Sequence, residues 1–248
     1  MVNLRQGKDA LLDVQNVTKT FGGTLALSGV SLEVYKGELV GIIGPNGSGK
    51  TTLFNVISGV FPCDQGKLYF KGKEINGLQP HQTCKLGLAR TFQITQSFGN
   101  LSVFETVLVA ALNRLSLSEA KKRACRVLET VGLAGKAGII STELTAPDLK
   151  ALELAKALAT GADTILLDEV MAGLIPTEAR KMVTVIKELR NTGMTFVVVE
   201  HIMPVMMELA ERVIVLDFGQ KIAEGKPGEI ANSQKVIECY LGSGENLA

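Results

Sequence analysis

Residues 39–53 read LVGIIGPNGSGKTTL. The first five are apolar and largely β-branched, which is the make-up of a short buried strand. Residues 44–49 follow with three glycines, and Lys50, Thr51 and Thr52 open an apolar segment of helical character. Strand, Gly-rich loop and helix in this order, with the spacing G-x-x-x-x-G-K-[ST], make a phosphate-binding P-loop. Glycine at 44, 47 and 49 lets the backbone through Pro45, Asn46 and Ser48 curl without Cβ clashes, so that its N–H groups form a nest for an anion. The N-terminus of the following helix adds unpaired donors and partial positive charge. In such a loop Lys50 reaches the β- and γ-phosphates and the Thr51 hydroxyl holds Mg²⁺. The loop therefore requires an α/β sandwich around a parallel sheet and predicts a nucleoside triphosphate as ligand.

The rest of the chain fits that frame. Strands are expected at residues 11–21 and 30–34, joined across Gly22 and Gly23, then a helix at 51–58, a strand at 66–70 and a hairpin return at 71–76. Residues 98–159 turn helical, with helices expected at 102–112, at 118–131 (Ser118 as N-cap) and at 146–159. After Gly161 the α/β rhythm returns: strands at 164–168, 195–200 and 212–217, helices at 178–190 and 203–210, and a hairpin ending at Gly225. With 248 residues the chain is long enough for one large core with a smaller subdomain.

Composition narrows the classes. Lys plus Arg total 26 and Asp plus Glu 25, so no electrostatic case exists for nucleic acid. No apolar run approaches the roughly eighteen residues of a membrane span, and the first ten residues hold no apolar signal core, so a cytoplasmic chain is expected. Cys63, Cys84, Cys125 and Cys239 are far apart in sequence and are read as reduced thiols.

Three further positions carry chemistry. Residues 165–169, ILLDE, are an apolar strand ending in two acids. Such a strand is expected beside the P-loop strand, with Asp168 on Mg²⁺ and Glu169 orienting or deprotonating a water that attacks the γ-phosphate. His201 directly follows the strand ending at Glu200, where ligands meet open α/β sheets, and is assigned a γ-phosphate contact. Gln93, after Arg90-Thr91-Phe92, stands where the α/β part meets the helical part; its amide can serve Mg²⁺ or the attacking water.

Taken together, these residues resemble the ATP-binding cassette (ABC) ATPases of membrane transporters over nearly the whole chain. GPNGSGKTT is similar to the family's Walker A motif, Gln93 to its Q-loop, ILLDE to its Walker B motif and His201 to its switch histidine; Phe21 falls where an aromatic ring stacks on adenine. Within the family, FGGTLALSGVS, GLARTFQITQSFGNLSVFETV, AGLIPTE and VIECYLG resemble the ATP-binding subunits of branched-chain amino-acid importers. The resemblance implies a RecA-like P-loop NTPase core (about 11–93 and 161–248) with an antiparallel β subdomain and an inserted α-helical subdomain (about 98–160), all one ATPase domain. It implies ATP and Mg²⁺ as cofactors, a second ATPase subunit that completes each site, a membrane permease reached through Gln93 and residues 95–103, an external solute-binding protein and a place on the cytoplasmic face of the membrane. Two readings compete with it: a soluble cassette acting in repair, translation or cofactor assembly, and a regulatory subunit that hardly hydrolyses.

Two stretches depart from the family pattern. Where Leu-Ser-Gly-Gly-Gln is usual, the chain reads Leu144-Thr145-Ala146-Pro147-Asp148. Thr145 keeps a hydroxyl for ATP bound by the partner, but Pro147 has no N–H to donate. Thr145 and Asp148 have the spacing of an N-cap with an acidic third position. The weakened signature favours a heterodimer with a subunit whose own signature is unaltered. Residues 170–174, VMAGL, also lack the acid usual after the catalytic Glu.

Overall fold

The computed structural model describes residues 10–92 and 99–242. Strands β1 (Leu12–Phe21) and β2 (Thr24–Val34) form a hairpin closed by Gly22 and Gly23, whose φ angles of 50° and 91° suit the primed turns of two-residue hairpins. The second strand thus begins at Thr24, six residues before the expected start. Its first half is only partly buried, with Leu27 alone fully inside, and so shows no clean two-residue apolar period.

Next come β3 (Leu39–Ile43), α1 (Lys50–Ile57), β4 (Gln65–Phe70), β5 (Lys73–Glu74), α2 (Pro80–Leu86) and β6 (Leu88–Arg90). Helices α3 (Val103–Ala111), α4 (Leu117–Thr130) and α5 (Ala146–Ala159) follow and pack on one another. The chain closes with β7 (Thr164–Asp168), α6 (Pro176–Asn191), β8 (Thr195–Val199), α7 (Met203–Leu209), β9 (Arg212–Asp217), β10 (Gln220–Gly225), α8 (Pro227–Ala231) and α9 (Gln234–Gly242). The N-cap of α4 is Ser116, not Ser118: its hydroxyl accepts from the Glu119 N–H while the Glu119 carboxylate takes the Ser116 N–H.

Two sheets result. One is antiparallel, in the order β2-β1-β4-β5; the other runs β10-β9-β3-β8-β7-β6, with β10 antiparallel on an otherwise parallel sheet. Every residue of β3, β7 and β8 is buried, because both faces of this sheet are covered. Alternate residues divide between two cores. Val40, Ile42, Leu166 and Val197 face the antiparallel sheet and α1, alongside Phe54 and Phe70. Leu39, Ile43, Leu167 and Val198 face the helical side with Leu152, Met182 and Met206. The α/β core, antiparallel sheet and helical insertion of a P-loop NTPase are all present.

One expectation needs correction. The strand ending in Asp168 is not beside the P-loop strand: β8 lies between them, paired parallel to both. The inserted strand ends at Val199, so its continuation, Glu200 and His201, emerges between the P-loop and the acid pair.

Candidate nucleotide site

Parallel strands end on the same edge of the sheet, so β3, β8 and β7 deliver Gly44, Glu200–His201 and Asp168–Glu169 to one crevice. Packing dictates the glycines there. At Gly44, φ is 152° and a Cβ would come 2.0 Å from the Leu216 carbonyl oxygen; at Gly49, φ is 102° and a Cβ would come 2.6 Å from that of Ala26. Gly49 is also the N-cap of α1. Pro45 and Ser48 are buried, whereas Asn46, Gly47 and Thr51 face solvent and Thr52 is half-buried. The Lys50 ammonium lies inside the loop and donates to the carbonyls of Gly44 (2.6 Å) and Pro45 (2.8 Å). A cation thus stands where the helix dipole and the loop N–H groups already favour an anion.

Asp168 is 1% exposed and ion-paired through Oδ2 with Arg90 Nη2 at 2.7 Å. Arg90 is itself held by Asn55 Oδ1 (2.6 Å) and Ser58 Oγ (3.2 Å) on α1 and its C-cap. The other Asp168 oxygen, Oδ1, is buried and has no partner among the described residues. A buried carboxylate oxygen without a donor, on an edge where a phosphate cradle and the Thr51 hydroxyl also open, fits a hard divalent cation. Mg²⁺ takes one or two protein oxygens and completes its shell with water and phosphate.

Glu169 has φ 49°, a left-handed conformation costing a non-glycine residue on the order of 1–2 kcal/mol. Its neighbours fix that turn: the Glu169 N–H donates to Val199 O (2.9 Å), Lys150 Nζ reaches the Glu169 carbonyl (3.3 Å), and the Met171 N–H donates to Glu200 Oε1 (2.8 Å). The Glu169 carboxylate is half-buried, with Oε1 4.0 Å from Nδ1 of the exposed His201. Glu200 is 1% exposed, and its Oε2 is buried without a partner among the described residues. Burial pushes its carboxyl up to about 7 and the neighbouring Glu169 charge adds to this, against the opposing Met171 N–H and Lys150.

Of the residues singled out in the sequence, Gly44–Thr52, Asp168, Glu169 and His201 meet in this crevice. Phe21 lies at the tip of the β1–β2 hairpin, 41% exposed, its ring edge-on to Phe61 at 5.2 Å between centroids. Thr145 lies at the start of α5. There its hydroxyl does not accept a capping N–H but donates to Asp148 Oδ2 (2.6 Å), which also binds Lys136 (2.5 Å). Gln93 lies outside the described residues. The structure adds Arg90 and Glu200, which sequence reasoning used only as flanking letters. Glu200 had a signal: like Asp168, it is an acid ending an all-apolar strand.

A P-loop and paired acids on one edge of a largely parallel sheet define a P-loop nucleoside triphosphatase. Residues 27–172 match the ABC transporter family, and residues 220–246 match the family described as branched-chain amino acid ATP-binding cassette transporter. The chain is 36% identical to the probable branched-chain amino acid transport ATP-binding protein LivG of Archaeoglobus fulgidus, covering 94% of this chain and 96% of that one. It is likewise 36% identical to the high-affinity branched-chain amino acid transport ATP-binding protein LivG of Escherichia coli K12, over 94% and 98%. Among solved structures it is similar to the ADP conformation of MJ1267, an ATP-binding cassette of an ABC transporter, with TM-score 0.87 and 32% identity over 95% of this chain and all of that one. It also resembles the dimeric post-hydrolysis state of the cassette MJ0796 bound to ADP and Pi, with TM-score 0.79 and 29% identity over 87% and 98%. The chain belongs to the ABC transporter ATPases, a family of ATP-hydrolysing transporter subunits. Among the described residues no helix is long and apolar enough to cross a membrane.

Proposed function

We propose that this chain is the ATP-hydrolysing subunit of an importer for branched-chain or related amino acids, acting as a dimer at the cytoplasmic face of a membrane permease. The observation that carries the hydrolytic part is the clustering of Glu169 and His201 beside a buried, half-paired Asp168 on the P-loop edge. The relatives named for branched-chain amino-acid transport support the solute class.

In this reading Lys50 leaves the loop carbonyls for the β- and γ-phosphates, the N–H groups of the loop hold the remaining phosphate oxygens, and Phe21 stacks on adenine. Thr51 and Asp168, together with Gln93, would hold Mg²⁺, which would supply positive charge to neutralise the phosphates. Glu169 polarises the attacking water, and His201 hydrogen-bonds the γ-phosphate and orients it for in-line displacement. Phe92, the last described residue before 93–98, lines an apolar groove of about 340 Å³ with Val60, Pro80, Leu88, Val109 and Ala110. That apolar surface suits a permease segment.

The dimer is asymmetric in this reading. Pro147 offers no N–H, and the Thr145 hydroxyl is engaged by Asp148 in its own chain, so this signature gives little to a phosphate across the interface. A hydrogen bond to a charged group is worth roughly 1.5–3 kcal/mol. A partner ATPase with an unaltered signature restores that bond to the Lys50 site. The test is ATPase activity per site of the purified homodimer against a heterodimer co-expressed with such a partner. The heterodimer should be faster; equal activity per site contradicts the asymmetry. Co-purification with a permease separates an importer subunit from a soluble cassette.

A further inference from the structure

We propose that Glu200 is a positioning residue for Glu169: its carboxylate pins the Met171 N–H and so holds the left-handed turn that aims the Glu169 side chain into the crevice. The proposal rests on Glu169 being the residue that polarises water, as set out above.

Three observations support it. First, the turn needs holding. Glu169 has a φ of 49°, which an L side chain adopts only where its surroundings over-determine it. Second, the 2.8 Å bond from Met171 N–H to Glu200 Oε1 closes this turn onto the neighbouring strand, two residues beyond Glu169. With the Glu169 N–H on Val199 O, it makes two successive links from the turn to β8 and its extension. Third, Glu200 is buried at a cost that a residue of no consequence would not carry. It is 1% exposed, its Oε2 has no partner among the described residues, and the Glu169 charge opposes its ionisation. An apolar side chain would fill this space more cheaply, but it would leave the Met171 N–H unanswered. His201 is the next residue, so one short segment aligns both the group assigned to the attacking water and the group assigned to the γ-phosphate.

The test compares the full-length wild type with Glu200→Ala, Glu200→Gln and Glu169→Gln. Steady-state ATPase kinetics, nucleotide affinity and hydrogen exchange of peptides spanning residues 169–175 are measured on each. Glu200→Ala should lower kcat at least 10-fold, leave ATP affinity within about threefold, and speed exchange of the Met171 amide. Glu200→Gln retains a carbonyl acceptor and should recover kcat to within about threefold of wild type, with slow exchange. Unchanged exchange in Glu200→Ala overturns the tether. Faster exchange with wild-type kcat overturns the positioning role. Loss of kcat in Glu200→Gln as deep as in Glu200→Ala overturns hydrogen-bond acceptance as its basis. Wild-type turnover by Glu169→Gln would instead strike the role given to Glu169, and the exchange data would then judge the tether alone.

Discussion

Replacing Glu200 by glutamine removes a buried ionisable group while nearly preserving its shape, and its effect on stability follows from the structure. Burial raises the carboxyl from an ordinary 4.5 to about 7. Between these values the folded chain keeps a proton that the unfolded chain has released. The stability linked to that proton is therefore complete below pH 4.5 and is lost as pH rises through 7. At about 1.4 kcal/mol per pH unit, the full cost above pH 7 is about 3 kcal/mol. Glutamine has no proton to lose and carries none of it. Urea unfolding of both proteins at pH 5, 6, 7 and 8 reads the difference directly. Glu200→Gln should gain on the wild type by about 2–3 kcal/mol between pH 5 and pH 8, with the gain levelling off above 7. Parallel pH dependences for the two proteins would refute the reasoning, since they would mean that Glu200 titrates alike folded and unfolded.

Arg90→Leu leaves the Asp168 carboxylate buried and unpaired, and should cost about 3–5 kcal/mol in urea unfolding, part of it regained when Asp168→Asn is added. Gly44→Ala places a Cβ 2.0 Å from the Leu216 carbonyl oxygen at a φ of 152°; it should abolish ATP binding in a fluorescent-nucleotide assay and lower the melting temperature. Ser116→Ala removes the cap of α4 and should cost about 1 kcal/mol in the same unfolding assay, whereas Ser118→Ala should be neutral there.

Local chemistry made much of this legible before the structure. α5, β7 and β9 begin and end where the pattern of their residues puts them: α5 places Leu149, Leu152, Ala155 and Leu158 at helical spacing before Gly161, and β7 and β9 are short apolar runs ending in Asp. Short or weakly buried elements escaped. β6 is three residues long, and α2 buries Thr83 alone, so neither shows a period. The cap of α4 was misplaced because Ser116 and Ser118 both precede helical residues; only the reciprocal bonds with Glu119 choose between them. Strand order was beyond reach for a different reason. That β8 runs between β3 and β7 is decided by packing among segments far apart in the chain, and nothing local to residues 164–168 or 195–199 records it. The P-loop and the acid pair could be read because each is a contiguous stretch. Arg90 could not, because what distinguishes it is burial and a partner 78 residues away; Glu200 shows in sequence as a strand-end acid, but its bond to the Met171 N–H, 29 residues away, does not.

Turnover by Glu169→Gln tests the central claim most directly. Glutamine keeps the size of the side chain but cannot take a proton from water. The account predicts unchanged ATP affinity and a kcat lower by roughly 10²–10⁴-fold, the range of a positioned general base. Hydrolysis by Glu169→Gln at the wild-type rate would contradict it.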